Sequence, residues 1–229
     1  MSVPVQGSSR PTGGRLASGL VLVFLLTTSG CGTVAAVRAL HKGESAVAVS
    51  LGGPVANVAG MDIPMPYAVG RYRYGLTDRA GLFGGAHLAM PAFGVLGLEA
   101  GLSYQFLDQR GALPGLSASA GFTGLLKLGG EEAFFPGLDF VASWKLGASW
   151  LVYGGVQSMF QLNEKPNVVF APLVGAERRF GRWRVALESK WYAPTEVTHP
   201  RNVNYRLPIG GHGAVGFVVG VSYDFGPRR

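Results

Sequence analysis

Apolar and polar positions alternate with a period of two from Ser45 to Phe225, in runs divided by Gly, Pro, Asp and Asn clusters. The last run, AVGFVVGVSYDF, puts Val215, Phe217, Val219, Val221, Tyr223 and Phe225 on one face and Ala214, Gly216, Val218, Gly220, Ser222 and Asp224 on the other. Only an extended strand separates residues in this way. In WRVALESKW, Trp183, Val185, Leu187 and Trp191 share a face, while Arg184, Glu188 and Lys190 share its opposite. The pattern predicts about ten strands, over 45–52, 65–76, 80–90, 95–106, 115–128, 136–146, 148–161, 167–177, 182–193 and 213–225. The four-residue second connection also allows a count of eight. Pro172 is expected to interrupt its ladder or occupy a bulge.

Composition decides what the apolar face meets. Only 14% of residues are charged, against about 25% in soluble domains. That is too little to coat a soluble barrel. The inner set is small and polar, as a narrow polar lumen requires. Tyr72, Tyr74, Tyr104, Phe106, Trp144, Trp150, Trp183, Trp191 and Phe225 lie near strand ends, as an aromatic girdle would. Trp183 and Trp191 are eight steps apart, about 20 Å across a bilayer for a strand tilted about 40°. Connections alternate between shorter and longer, and an even strand count leaves both chain ends on one side. These features predict an all-β, antiparallel up-and-down transmembrane β-barrel over 45–229. Residues 45–225 resemble small bacterial outer-membrane β-barrel proteins, with the aromatic Phe225 ending the last strand. The resemblance implies an outer-membrane location and membrane lipids as partners. The alternative is a soluble, lipocalin-like periplasmic barrel carrying a small apolar ligand.

The first thirty residues read as an export signal. Arg10 and Arg15 precede the apolar run Leu16 to Leu26, and no acidic residue occurs before Glu44. The run is too short to span a bilayer as a stable helix. Ser29, Gly30 and Cys31 resemble a bacterial lipobox, with Thr28 where that motif carries an aliphatic residue. The resemblance implies lipidation of Cys31, the only cysteine, with 31–44 as a periplasmic tether. The competing reading is cleavage further on, for example after Ala36.

The formal charge of +7 falls to +5 without Arg10 and Arg15. No basic run with interleaved aromatics suggests nucleic-acid binding. The lumen-facing set is Arg71, Arg73, His87, Glu99, Lys127, Asp139, Lys145, Glu177, Arg184, Glu188, Lys190 and Asp224. Both signs are interspersed, so these groups are expected to pair and close the lumen. Arg38, Lys42, Arg79, Arg110, Arg178, Arg179, Arg182, Arg228 and Arg229 form a basic collar on the predicted periplasmic side. His41, His87, His199 and His212 are scattered; Glu196, His199 and His212 are the one set that could meet, in a rim enzyme. The expected protein is a monomer without cofactor or metal. Its expected role is structural, adhesive or that of a narrow channel rather than catalytic.

Overall fold

A computed structural model describes residues 33–226 apart from 59–60, 65–66, 128, 131, 163–166 and 198–206. Cys31 and the signal segment, His199, Arg228 and Arg229 lie outside the described residues. Eleven strands follow in chain order: β1 (Ser45–Val58), β2 (Met61–Pro64), β3 (Tyr67–Gly75), β4 (Ala80–His87), β5 (Val95–Leu107), β6 (Gly115–Lys127), β7 (Glu132–Leu146), β8 (Trp150–Gln161), β9 (Asn167–Phe180), β10 (Trp183–Val197) and β11 (His212–Phe225). Each pairs antiparallel with its neighbour, and β11 returns to β1 from Ser45↔Phe225 to Pro54↔Gly216. Ten of these strands close the barrel. The short β2 only pairs with the far end of β1, Val55–Val58. Closure satisfies the edge hydrogen bonds that an open sheet would expose.

The predicted strand boundaries match closely, with two instructive differences. Gly52 and Gly53 read as the end of the first strand, yet β1 continues to Val58. Gly52 bends the strand at φ 138°, where a Cβ would come 2.0 Å from the Phe217 carbonyl oxygen. Pro172 makes no bulge: β9 keeps register with β8 through Val156↔Pro172. The β9–β10 ladder instead ends at Leu173↔Lys190, one residue before the proline, which has no N–H to donate.

The outward face is apolar along its whole length; Leu51, Leu102, Val174, Trp183 and Leu187 are each more than half exposed. The inward face carries the buried set, including Ser117, Ser119, Ser143, Glu99, Glu188 and Lys190. Three connections at one mouth (residues 76–79, 147–149 and 181–182) are short and the fourth, 108–114, is longer; at the other mouth 128–131 is short, 88–94 matches 108–114, and 198–211 is the longest connection in the barrel. The chain enters at the short-turn mouth, where Gly43 donates to the Gly75 carbonyl.

The segment expected as a tether does not stay outside. Residues 33–40 run up the lumen as an extended strap, with Thr33, Ala35, Ala36, Val37 and Leu40 buried. Ala35, Val37, Val141, Leu151, Tyr153 and Leu173 form one apolar cluster within the barrel.

Candidate functional site

Five strands hold the strap. Val34 N–H donates to Ser50 Oγ on β1, and Arg71 Nη1 on β3 donates to the Val34 carbonyl at 3.2 Å. Ala35 N–H donates to Glu188 Oε2 on β10 at 3.1 Å. Ser117 on β6 donates to the Val37 carbonyl, and Arg38 Nε donates to Ser143 Oγ on β7 at 3.0 Å. Lys190 Nζ donates to the Thr33 carbonyl. Bare glycines make the room: a Cβ on Gly220 would come 2.7 Å from Val34 Cγ2. An extended segment buried in a lumen must find partners for its backbone groups, and this one takes them from the wall.

The charged groups fall into three clusters. Arg71, Gly85 and Glu99 stand side by side on β3, β4 and β5. Arg71 reaches across the bare glycine to Glu99 in a bidentate pair of 2.6 and 2.9 Å, with its guanidinium 4.8 Å from the Phe83 ring centre. His87 is buried beside this pair over Gly97. In the second cluster, Lys190 lies 2.9 Å from Glu188, both fully buried, and also donates to Gln157, which in turn donates to Asp139. In the third, towards the short-turn mouth, Arg184 pairs with Asp224 and lies 3.8 Å from Glu177, while Arg179 approaches Asp224 at 3.3 Å. Arg73 donates to the Arg38 carbonyl. Burial pushes the Arg38 guanidinium below its ordinary pKa, with Asp108 and Glu177 acting the other way; an arginine stays protonated regardless.

Nine of the twelve predicted lumen residues join these clusters, and Arg73 binds the strap. Lys127 and Lys145 do not: each is exposed at the end of its strand and has no ion pair among the described residues. Arg38 leaves the predicted collar for the lumen, because the strap carries it inward. Sequence reasoning missed the strap altogether.

The predicted girdle gathers at one end. Tyr72, Tyr74, Tyr104, Phe106, Trp144, Trp150, Trp183 and Phe225 sit towards the short-turn mouth, and Trp191 alone stands towards the other. Trp183, Tyr223 and Phe225 form an edge-to-face chain with centroids 4.9 Å apart at each step. Arg178 lies over both Trp150 and Phe180, at 5.2 and 4.7 Å.

Among the spaces that flank the strap, two are larger than the one beside Val34, Ala35 and Ala36. One, of about 100 Å³, is lined by Thr33, Arg71, Glu99, Asp139, Gln157 and Tyr192 among others. The other, of about 370 Å³, opens at the short-turn mouth. His41 lies at the short-turn mouth, His87 in the lumen and His212 at the far end, so these three do not meet. Among the described residues no group of His, Cys, Asp and Glu is arranged to hold a metal.

No protein-family model and no curated protein matches the sequence. Among solved structures, the translocator domain of the autotransporter NalP from Neisseria meningitidis is similar, with TM-score 0.41 and 10% identity over 92% of this chain and 98% of that one. An outer-membrane channel from Pseudomonas putida F1 gives TM-score 0.44 and 15% identity over 84% and 99%. The outer-membrane protease OmpT from Escherichia coli gives 0.39 and 12% over 80% and 94%.

Proposed function

We propose that this protein is a bacterial outer-membrane barrel that rests closed, with its own N-terminal strap as the plug. The burial of residues 33–40 within the lumen, hydrogen-bonded to five strands, carries the reading. The apolar outer face supports lipid as its surroundings, since a soluble carrier would leave that whole face in water. The short-turn mouth is the periplasmic one, by the turn asymmetry of such barrels. The role is that of a gated narrow passage, not of a wide pore or a catalyst. Single-channel recording on planar bilayers tests it: the full protein is expected to be silent, and deletion of residues 33–41 to open discrete conductance steps. Open steps in the full protein would overturn the plug. Heat-modifiable migration and outer-membrane fractionation test the location.

The export signal belongs to this reading. Lys190 Nζ donates to the Thr33 carbonyl within the lumen, so the plug persists only if processing spares the strap. Processing belongs upstream of Thr33.

A further inference from the structure

The space at the short-turn mouth is larger than the others described beside the strap, and its charge is unbalanced. Arg38, Arg73, Lys145, Arg179 and Arg184 line it, against the carboxylates Glu44, Glu177 and Asp224. That is five cations against three carboxylates, a surplus of two.

The carboxylates are already engaged. Asp224 takes Arg184 and Arg179, Glu177 lies beside Arg184, and Glu44 Oε2 accepts from the His41 backbone N–H. Arg38, Arg73 and Lys145 therefore face the space with no carboxylate within ion-pair distance among the described residues. Arg38 is held by neutral acceptors alone, Ser143 Oγ and its carbonyl at 3.0 and 3.2 Å and Gln109 Oε1 at 2.8 Å. Among the described residues Arg73 donates only to the Arg38 carbonyl, leaving four of its five N–H donors over. Gln109 Oε1 also accepts the Lys145 backbone N–H at 2.6 Å, which fixes that lysine at the edge of the same space.

Cations partly withdrawn from water with no carboxylate in direct contact are costly, and an anion offsets that cost. We propose that this vestibule binds a soluble phosphomonoester-type solute. Two guanidinium forks and an ammonium suit the oxygens of a tetrahedral oxyanion. A surplus of two positive charges suits a group carrying nearly two negative ones at neutral pH. A space of about 370 Å³ falls within the range of small-molecule sites.

The same phosphate chemistry occurs on lipid headgroups, but the wall excludes their tails here. On the short-turn half every barrel strand pairs with its neighbours, including Trp183↔Phe180 to Lys190↔Leu173 between β9 and β10 and the β1–β11 seam, with one register shift, between Gln105 and Leu107 on β5. No lateral gap admits an acyl chain at this level, so the ligand enters from the aqueous side. Because Arg38 belongs to the strap, an occupied vestibule also holds the plug in place. That consequence rests on the closed-barrel reading; the binding itself does not.

Isothermal titration of the detergent-solubilised full chain with glycerol 3-phosphate at fixed ionic strength tests the proposal. Glycerol serves as the uncharged control and dihexanoyl phosphatidic acid as the lipid arm. Saturable one-site binding is expected, weakened roughly 10-fold in Arg73→Gln and in Lys145→Gln, as for loss of one charged hydrogen bond. Lys127→Gln, at the opposite mouth, should bind like the parent. Lys145 is exposed, so its substitution reports even if Arg73→Gln fails to fold, which heat-modifiable migration detects. Absence of saturable binding, equal weakening in Lys127→Gln, or tighter binding of the short-chain lipid would each overturn the proposal. Bilayer recordings read the plug separately, so failure of either idea leaves the other measurable.

Discussion

Glycine on the lumenal face does the work that large side chains do in a smaller barrel's core. Gly220 seats Val34, Gly85 lets Arg71 reach Glu99, and Gly175 lies under the Tyr153 ring, where a Cβ would come 2.5 Å from Cζ. Gly84 faces outward instead, and its nearest neighbour would stand 3.6 Å from an added Cβ. Gly220→Leu should therefore drive the strap from the wall, while Gly84→Leu should leave it seated. Limited proteolysis reads this as new cleavage within residues 33–41 in the first variant alone. The Glu188–Lys190 pair carries a second prediction, because both side chains are fully buried. Removing one partner of such a pair costs about 3–5 kcal/mol. Glu188→Gln should lower unfolding stability in urea by that order, and adding Lys190→Met should cost much less than a second loss of equal size. Additive losses would mean that the two groups act independently.

At the scale of elements, alternation made ten strands legible because each has one apolar and one polar face, and a one-residue slip would reverse them. Their lumenal residues were legible by the same parity, from Glu99 to Asp224. The strap was not legible, and the reason is physical. TVAAVRAL meets barrel wall on every side, so no period separates an inner from an outer face. A signal was present all the same. Eight strands give a lumen just filled by side chains, whereas ten strands lined by Gly97, Gly101, Gly121, Gly175 and Gly220 leave volume for something else. The strap also discriminates between the two processing readings. Cleavage after Ala36 would remove the carbonyls that accept from Lys190 and Arg71 and the N–H that reaches Glu188. N-terminal sequencing of the protein recovered from membranes should therefore begin upstream of Val34. A start at Val37 would show that the strap is discarded and that the lumen closes by other means.

For the whole molecule, the strap and the seam constrain each other. The strap enters beside Gly75, and the seam between β1 and β11 closes around it from Ser45 to Pro54. Once that seam has formed, residues 33–40 are enclosed on all sides, so docking of the strap and closure of the barrel belong to one event. The strap leaves the lumen on the side of the short turns, through Leu40 to Glu44, and ten strands return the chain to that side at Gly226. Eight of nine girdle aromatics lie at the same end, where Arg178 stacks on Trp150 and Phe180 at the height of lipid headgroups. On the proposed export route the chain arrives at the inner side of the outer membrane, so the vestibule should open to the periplasm and the long loops to the exterior. Two single-cysteine variants on a Cys31→Ser background separate the orientations. Ile209→Cys, exposed at the long-loop mouth, should react with a membrane-impermeant maleimide on intact cells. Arg110→Cys, exposed between β5 and β6 at the short-turn mouth, should react only after the outer membrane is permeabilised. The reverse pattern would turn the barrel over, set the cationic vestibule at the cell surface, and require the strap to reach its lumen from outside.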